Sequence, residues 1–231
     1  ALGVNRDGGY ASHVLVPDPK YLFPFDGLDE ALACTYACSG LTAYGALKKA
    51  REAVRAGGDL VIIGAGGVGL SGVRMAEAVT GIKPIVADID RSKWTAARDA
   101  GAKDVVDPSD PEAAKALYRM TAGGAAAVID FVGAAASFTF GFNALRKSGR
   151  LIVVGLFGGS ASLPVPMLPL KNATVMGSYV GNLDDMRELM ALAQSGKVPG
   201  LPIATRKLSD ANEVLSSLAA GKIVGRVVLT P

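Results

Sequence analysis

The stretch Leu60-Val61-Ile62-Ile63-Gly64-Ala65-Gly66-Gly67-Val68-Gly69 joins four apolar residues to a G-x-G-x-x-G spacing, with glycines at 64, 66 and 69. An apolar run of that length reads as a buried strand, and the residues from 67 to 80 carry helical patterning. Each glycine has a separate reason to be there. Gly64 permits a tight turn out of the strand, Gly66 lets the backbone approach a pyrophosphate, and Gly69 lets the helix lie close to the sheet. Gly67 and Val68 lie in the opening turn, whose free N–H groups face an anion.

Context strengthens the motif. A second apolar run, Ile85-Val86-Ala87, ends at Asp88, where an acid accepts hydrogen bonds from ribose hydroxyls and repels a 2′-phosphate. Asp90 takes that role if the strand ends two residues later. The pair of signals predicts a site for NAD rather than NADP.

The same alternation continues outward. Short apolar runs at 105–106, 127–129, 151–154 and 174–179 are separated by helical patterns at 92–100, 110–122 and 134–147. Runs without polar alternation, spaced by helices, predict an α/β fold with a doubly wound parallel sheet of the Rossmann type. Further helices are expected at 183–195 and at 209–220, the second N-capped by Ser209, with a last strand at 226–229. Residues 30–51 read as helical with a break near Ser39-Gly40. The opening at 8–17 reads as a Gly turn and a strand ended by Pro17.

Composition excludes other classes. Among 231 residues the net charge is only +3 and no basic run stands out, which argues against nucleic acid and anionic membranes as partners. The longest uncharged stretch, 31–47, contains Thr, Ser, Tyr and Gly and is short for a bilayer. No signal peptide is visible at 1–9. Cys34 and Cys38, four apart, make no disulfide framework, so a reducing, cytoplasmic setting is expected.

Taken in order, Gly8-Gly9-Tyr10-Ala11, Cys38-Ser39-Gly40-Leu41-Thr42-Ala43-Tyr44, the glycine fingerprint, Val86-Ala87-Asp88-Ile89-Asp90 and Gly225-Arg226-Val227-Val228 resemble the zinc-type medium-chain dehydrogenases. That resemblance implies a C-terminal part of an NAD-dependent alcohol dehydrogenase, acting on a small alcohol or aldehyde. It further implies remnants of a GroES-like barrel at both chain ends. Residues 1–41 would be the end of the catalytic domain with a linking helix, 42–180 the NAD-binding domain, and 181–231 helices and a strand returning to the catalytic domain.

Residue by residue, the resemblance makes Cys38 a zinc ligand and sets Thr42 against the nicotinamide as a catalytic positioning group. Asp88 becomes the ribose acid, Lys93 a base beside the adenosine and Arg226 a pyrophosphate contact. Val154, Leu156, Ser178 and Val180 fall on backbone segments lining the nicotinamide pocket. Cys34, Trp94 and Tyr44 read as packing residues, His13 as a surface or packing residue and Asp130 as a solvated strand-end acid.

The other zinc ligands, the proton relay and the structural zinc loop of such enzymes belong to an N-terminal catalytic domain without counterpart here. Zinc is therefore expected of the complete enzyme, and an apolar surface is expected around Cys38, Leu41 and Thr42. The Pro-punctuated segment at 163–169 suggests a homo-oligomer, a dimer or tetramer. Two other readings stay open: a non-catalytic NAD(H)-binding module, and a zinc-free quinone reductase.

Overall fold

A computed structural model describes residues 2–231. Helix α1 (Glu30–Thr35) runs through a π turn at Tyr36–Gly40 into α2 (Leu41–Arg55). The predicted break is thus a widened turn. Glycine at 40 is what the turn accommodates, since a Cβ there would stand 2.7 Å from the Tyr36 ring. Then follow β1 (Leu60–Ile63), α3 (Gly67–Thr80), β2 (Ile85–Ala87), α4 (Trp94–Asp99), β3 (Asp104–Val106), α5 (Ala113–Met120), β4 (Ala125–Asp130), α6 (Ala135–Ala144), β5 (Leu145–Val153), α7 (Met167–Lys171), β6 (Thr174–Gly177) and α8 (Leu183–Gln194).

Strands β1 to β6 form one parallel sheet in the order β3-β2-β1-β4-β5-β6. The chain winds outward from β1 to β3, then returns to the middle and winds the other way through β4. Successive residues face opposite sides. Leu60, Ile62, Val86, Ile129 and Ile152 join a core with α2, α3, α4 and α8, while Val61, Ile63, Ile85, Val128 and Leu151 join one with α5 and α6. Both faces are covered, which is why these strands show no polar alternation.

A separate pair, β7 (Ile203–Lys207) and β8 (Arg226–Thr230), is joined by α9 (Ala211–Ala219) and runs parallel. Strand β7 escaped the sequence reading because Ala204, Thr205 and Arg206 are exposed and break the apolar run. Other boundaries move. Strand β5 starts at Leu145, so α6 ends three residues earlier than the sequence suggested, and β6 stops at Gly177. Helix α9 is entered through a 3-10 turn at Leu208–Asp210 rather than capped by Ser209. The segment 163–169 holds a turn and α7 and no strand. Nor is there a strand at 8–17, where no neighbouring chain offers a ladder to pair with.

Candidate functional site

In a parallel sheet every strand ends at the same edge. Where the chain reverses its winding direction, between β1 and β4, a crevice opens at that edge. Here it is a cavity of about 340 Å³ lined by Gly64, Asp88, Ile89, Pro108, Val132 and Phe157 among others.

The fingerprint glycines behave differently from one another. Gly64 has φ +93°, a region that favours glycine. A Cβ at Gly69 would lie 1.7 Å from the Gly64 carbonyl oxygen, so the first turn of α3 packs directly on the end of β1. Gly66 has nothing within 4 Å of its Cβ position, which leaves the approach to that backbone free. As N-cap of α3, Gly66 provides no side-chain cap, and the first turn contains no acid. The leading N–H groups of a 14-residue helix thus lack a side-chain acceptor, and its partial positive charge is left unbalanced.

Arg226, at the start of β8, lies over this helix end, its guanidinium 2.9 Å from the Cβ position of Gly67. Burial pushes the Arg226 pKa down, with the Cys38 and Cys34 thiols opposing the shift. No ion pair with an acid involves it among the described residues. A cation beside a helix N-terminus is electrostatically unfavourable unless an anion sits between them.

Asp88 is buried, 8 % exposed, at the end of β2. Its Oδ2 accepts from the Ala65 N–H at 2.6 Å and its Oδ1 from the Asp90 N–H at 2.8 Å. The acid therefore also holds the glycine loop. Trp94, read from sequence as packing, donates its Nε1–H to the Asp88 carbonyl at 2.9 Å. Asp90 instead caps the turn at Arg91–Lys93, and Ser92 and Lys93 together hold its carboxyl below the usual range. Lys93 pairs with Asp90 at 3.2 Å.

The remaining candidates lie along the same edge. Val154 donates its N–H to the Asp130 carbonyl at 2.8 Å, and Leu156 is 81 % exposed beyond it. Ser178 is buried, its N–H bonded to the Val153 carbonyl at 2.8 Å and its Oγ accepting from Lys49 at 2.9 Å. Val180 has φ +49°, and its carbonyl lies 2.8 Å from the Cβ position of Gly45, so α2 touches this segment. Thr42, half-buried, is the second residue of α2, just before that contact at Gly45. None of these residues lines the 340 Å³ cavity, which serves only the Asp88 half of the edge.

Cys38 is an exposed thiol in the π turn. Cys34 is exposed too, against the expectation of burial, and partial burial of the thiol with Asp29 nearby raises its pKa. His13 lies on the surface, 3.2 Å from the Ser12 hydroxyl. No three His, Cys, Asp or Glu side chains stand together as a metal set among the described residues.

Asp130 corrects the sequence reading. It is fully buried, and its carboxylate accepts from the Val132 and Gly133 N–H groups at 2.9 and 3.0 Å and from the Ser137 hydroxyl at 2.8 Å. It shapes the turn that forms one wall of the crevice. The available signal was an acid closing a wholly apolar run immediately before a turn that supplies N–H donors.

Residues 67–195 match the family model described as zinc-binding dehydrogenase. The chain is 39 % identical over 232 residues to an NAD-dependent alcohol dehydrogenase of Sulfurisphaera tokodaii and 37 % identical to one of Saccharolobus solfataricus, covering all of this chain and 66 % of each relative. It spans about two thirds of their length. The crystal structure of the alcohol dehydrogenase from Aeropyrum pernix superposes with a TM-score of 0.87 at 34 % identity, over 100 % of this chain and 67 % of that one. With the fingerprint, the sheet order and these likenesses in agreement, the chain belongs to the zinc-binding dehydrogenase family.

Proposed function

We propose that this chain is the cofactor-binding part of an NAD-dependent alcohol dehydrogenase, an oxidoreductase that takes an alcohol to an aldehyde or ketone. One observation carries the reading: at the edge where the sheet reverses, the uncapped α3 N-terminus has the Arg226 guanidinium beside it, and the Asp88 carboxylate, which lines the crevice, holds the Ala65 N–H of the same glycine loop. The Arg226 cation and the N–H groups suit a pyrophosphate, and the buried acid suits two ribose hydroxyls. Free space at Gly66 meets the steric demand of a close-lying diphosphate.

In this reading Asp88 fixes the adenosine ribose and excludes a 2′-phosphate, while Lys93 adds positive charge beside the adenosine. Gly66, Gly67, Val68 and Arg226 hold the diphosphate. Val154, Leu156, Ser178 and Val180 offer backbone groups to the nicotinamide, and Thr42 packs on its ring to select one face. When bound, NAD supplies the hydride acceptor. The chain's own part is to orient that ring and shield it from water.

For zinc the donors fall short. Cys38 offers one thiol, whereas a catalytic zinc takes three protein ligands. The chain by itself does not fit the metal. That shortfall gives weight to a second reading, an NAD(H)-binding module without turnover. The small-alcohol substrate, a homo-oligomeric assembly and a cytoplasmic setting are parts of the same proposal; no helix among the described residues is long and apolar enough to cross a membrane. Titrating the chain with NADH and with NADPH tests the core of it. Binding of NADH at least tenfold tighter is expected, and equal affinities would overturn the assignment of Asp88.

A further inference from the structure

Three residues of α2, Leu41, Gly45 and Lys49, follow one another at helical spacing and share one face of the helix. That face meets the segment 177–181 in register. The Leu41 side chain lies 2.7 Å from the Cβ position of Gly181, and the Val180 carbonyl lies 2.8 Å from that of Gly45. The Lys49 ammonium donates to the Ser178 Oγ at 2.9 Å and to the Gly177 carbonyl at 3.3 Å. The peptide joining Gly177 to Ser178 is thereby held at both ends, since its N–H donates to the Val153 carbonyl at 2.8 Å. Lys49 is itself anchored. Arg150 of β5 donates to the Lys49 carbonyl at 2.6 Å and to the Glu52 carboxylate at 3.1 Å.

Lys49 forms no ion pair among the described residues, and the neighbouring acid Asp185 is taken by Lys48 at 2.8 Å. Its charge is spent on two neutral oxygens of a segment that needs holding. Val180 has φ +49°, a conformation that a β-branched residue keeps only where its surroundings impose it. Strand β6 ends at Gly177, and the N–H groups of Tyr179, Val180 and Gly181 have no hydrogen-bond partner among the described residues. No ladder therefore fixes the backbone beyond Ser178, and the α2 face does so instead. We propose that Lys49 is a positioning residue for the nicotinamide half of the cofactor: its ammonium locks the end of β6 against α2, so that the Ser178 and Val180 backbone and the Thr42 side chain face the ring in one fixed geometry. None of these contacts involves the glycine loop or Asp88, so the adenosine half is left alone. The inference rests on the dinucleotide reading above and extends it to a lysine outside the fingerprint.

Calorimetric titration of the parent chain, Lys49→Met and Lys49→Arg with NADH and with ADP-ribose tests it, together with the fluorescence of bound NADH. Lys49→Met is expected to weaken NADH roughly tenfold, the scale of one hydrogen bond to a charged group. It should also lower the fluorescence of NADH at saturation, because a ring held less firmly is quenched more. ADP-ribose, which has no nicotinamide, should stay within about twofold of the parent, as expected of a distant, independent site. Lys49→Arg keeps the charge and the reach, and should bring NADH back to within about threefold. If Lys49→Met does not fold, Ser178→Ala removes one of the two acceptors and should weaken NADH about threefold with ADP-ribose unchanged. NADH affinity and bound fluorescence equal to the parent's in Lys49→Met overturn the proposal and leave the cofactor reading standing. Parallel weakening of NADH and ADP-ribose also overturns it, since the lysine would then be serving the fold alone. Failure of the parent to bind NADH or ADP-ribose brings down the cofactor reading and this proposal together.

Discussion

Asp88 serves the fold and the proposed cofactor with the same two oxygens, and that makes its substitutions informative. Asp88→Ala removes the acceptor of the Ala65 N–H and a charge-assisted bond to the ribose, a loss of about 1.5–3 kcal/mol in NADH binding. It also removes the repulsion of a 2′-phosphate, so the preference over NADPH should shrink or invert; an unchanged ratio of the two affinities would count against the assignment. The glycines separate stability from binding. At Gly69 a methyl group would meet the Gly64 carbonyl at 1.7 Å, so Gly69→Ala should melt well below the parent. Gly66 has φ −73° and open space, so Gly66→Val should fold normally yet lose NADH. A thermal melt and an NADH titration of each variant check both, and tight NADH binding by Gly66→Val would show that no diphosphate lies there.

The joint between α2 and α8 is electrostatic as well as apolar. Lys48 bonds to Asp185 at 2.8 Å and to Glu188 at 2.7 Å, and the Tyr44 hydroxyl donates to Glu188 at 2.8 Å. Burial and that bond push the Tyr44 pKa up to about 12. Bonds to the two carboxylates raise Lys48 above the ordinary lysine value. At Asp185 burial pushes upward, but Lys48 and the Asn182 N–H outweigh it and hold the carboxyl low; Lys48 and Tyr44 do the same for Glu188. The lowered carboxyls contribute stability that is full above the ordinary carboxylate range and is lost as pH falls through their folded values. The Lys48 contribution is full below the ordinary lysine value and fades only in strong alkali. Lys48→Met should cost about 1 kcal/mol near neutrality, the pairs being partly exposed, or about 2–4 °C in Tm. It should also flatten the acid limb of stability against pH; an acid limb identical to the parent's would show that the clamp contributes nothing. Element by element, the sequence disclosed whatever periodicity encodes. The β1 and β2 runs and α3 were legible because each is a pure apolar or helical pattern bounded by glycine or an acid. The break at Ser39-Gly40 was legible but its π form was not. Strand β7 was hidden because its exposed residues pair only with the distant β8. The burial of Asp130 was missed although the apolar run before it and the turn after it carried a local signal.

Across the whole molecule apolar exposure spreads wider than the resemblance put it: Cys38 is exposed and a groove lined by Cys34, Ala37 and Leu41 carries exposed Tyr21, Leu22 and Phe25, but other sites are more exposed still. Leu41 is buried at 7 % against Gly181 and Thr42 is half-buried, whereas Leu156, Phe157, Val165 and Leu170 range from 66 to 84 % exposed. Dye binding or self-association should therefore respond to Val165→Ser and Leu170→Ser rather than to changes at Leu41. The distribution of metal donors leads to the last prediction: this chain, alone, oxidises no alcohol. An alcohol hydroxyl keeps its proton at neutral pH unless a Lewis acid or a base draws it off, and hydride leaves readily only from the alkoxide. Cys38 is one exposed thiol, Cys34 sits one turn away with a raised pKa, and His13 bonds to Ser12 on the surface. No third donor joins the two cysteines among the described residues, and a tetrahedral site closed by two thiols and two waters is poorly held. The purified chain should therefore bind NADH, hold less than stoichiometric zinc and give no NAD-dependent turnover of simple alcohols. Metal analysis and a turnover assay decide it. Stoichiometric zinc with turnover that Cys38→Ser abolishes would mean that these residues assemble a catalytic metal site after all. Absence of both in the chain, with both present in a protein that spans the full length of its relatives, would locate the chemistry at the junction of this part with the rest.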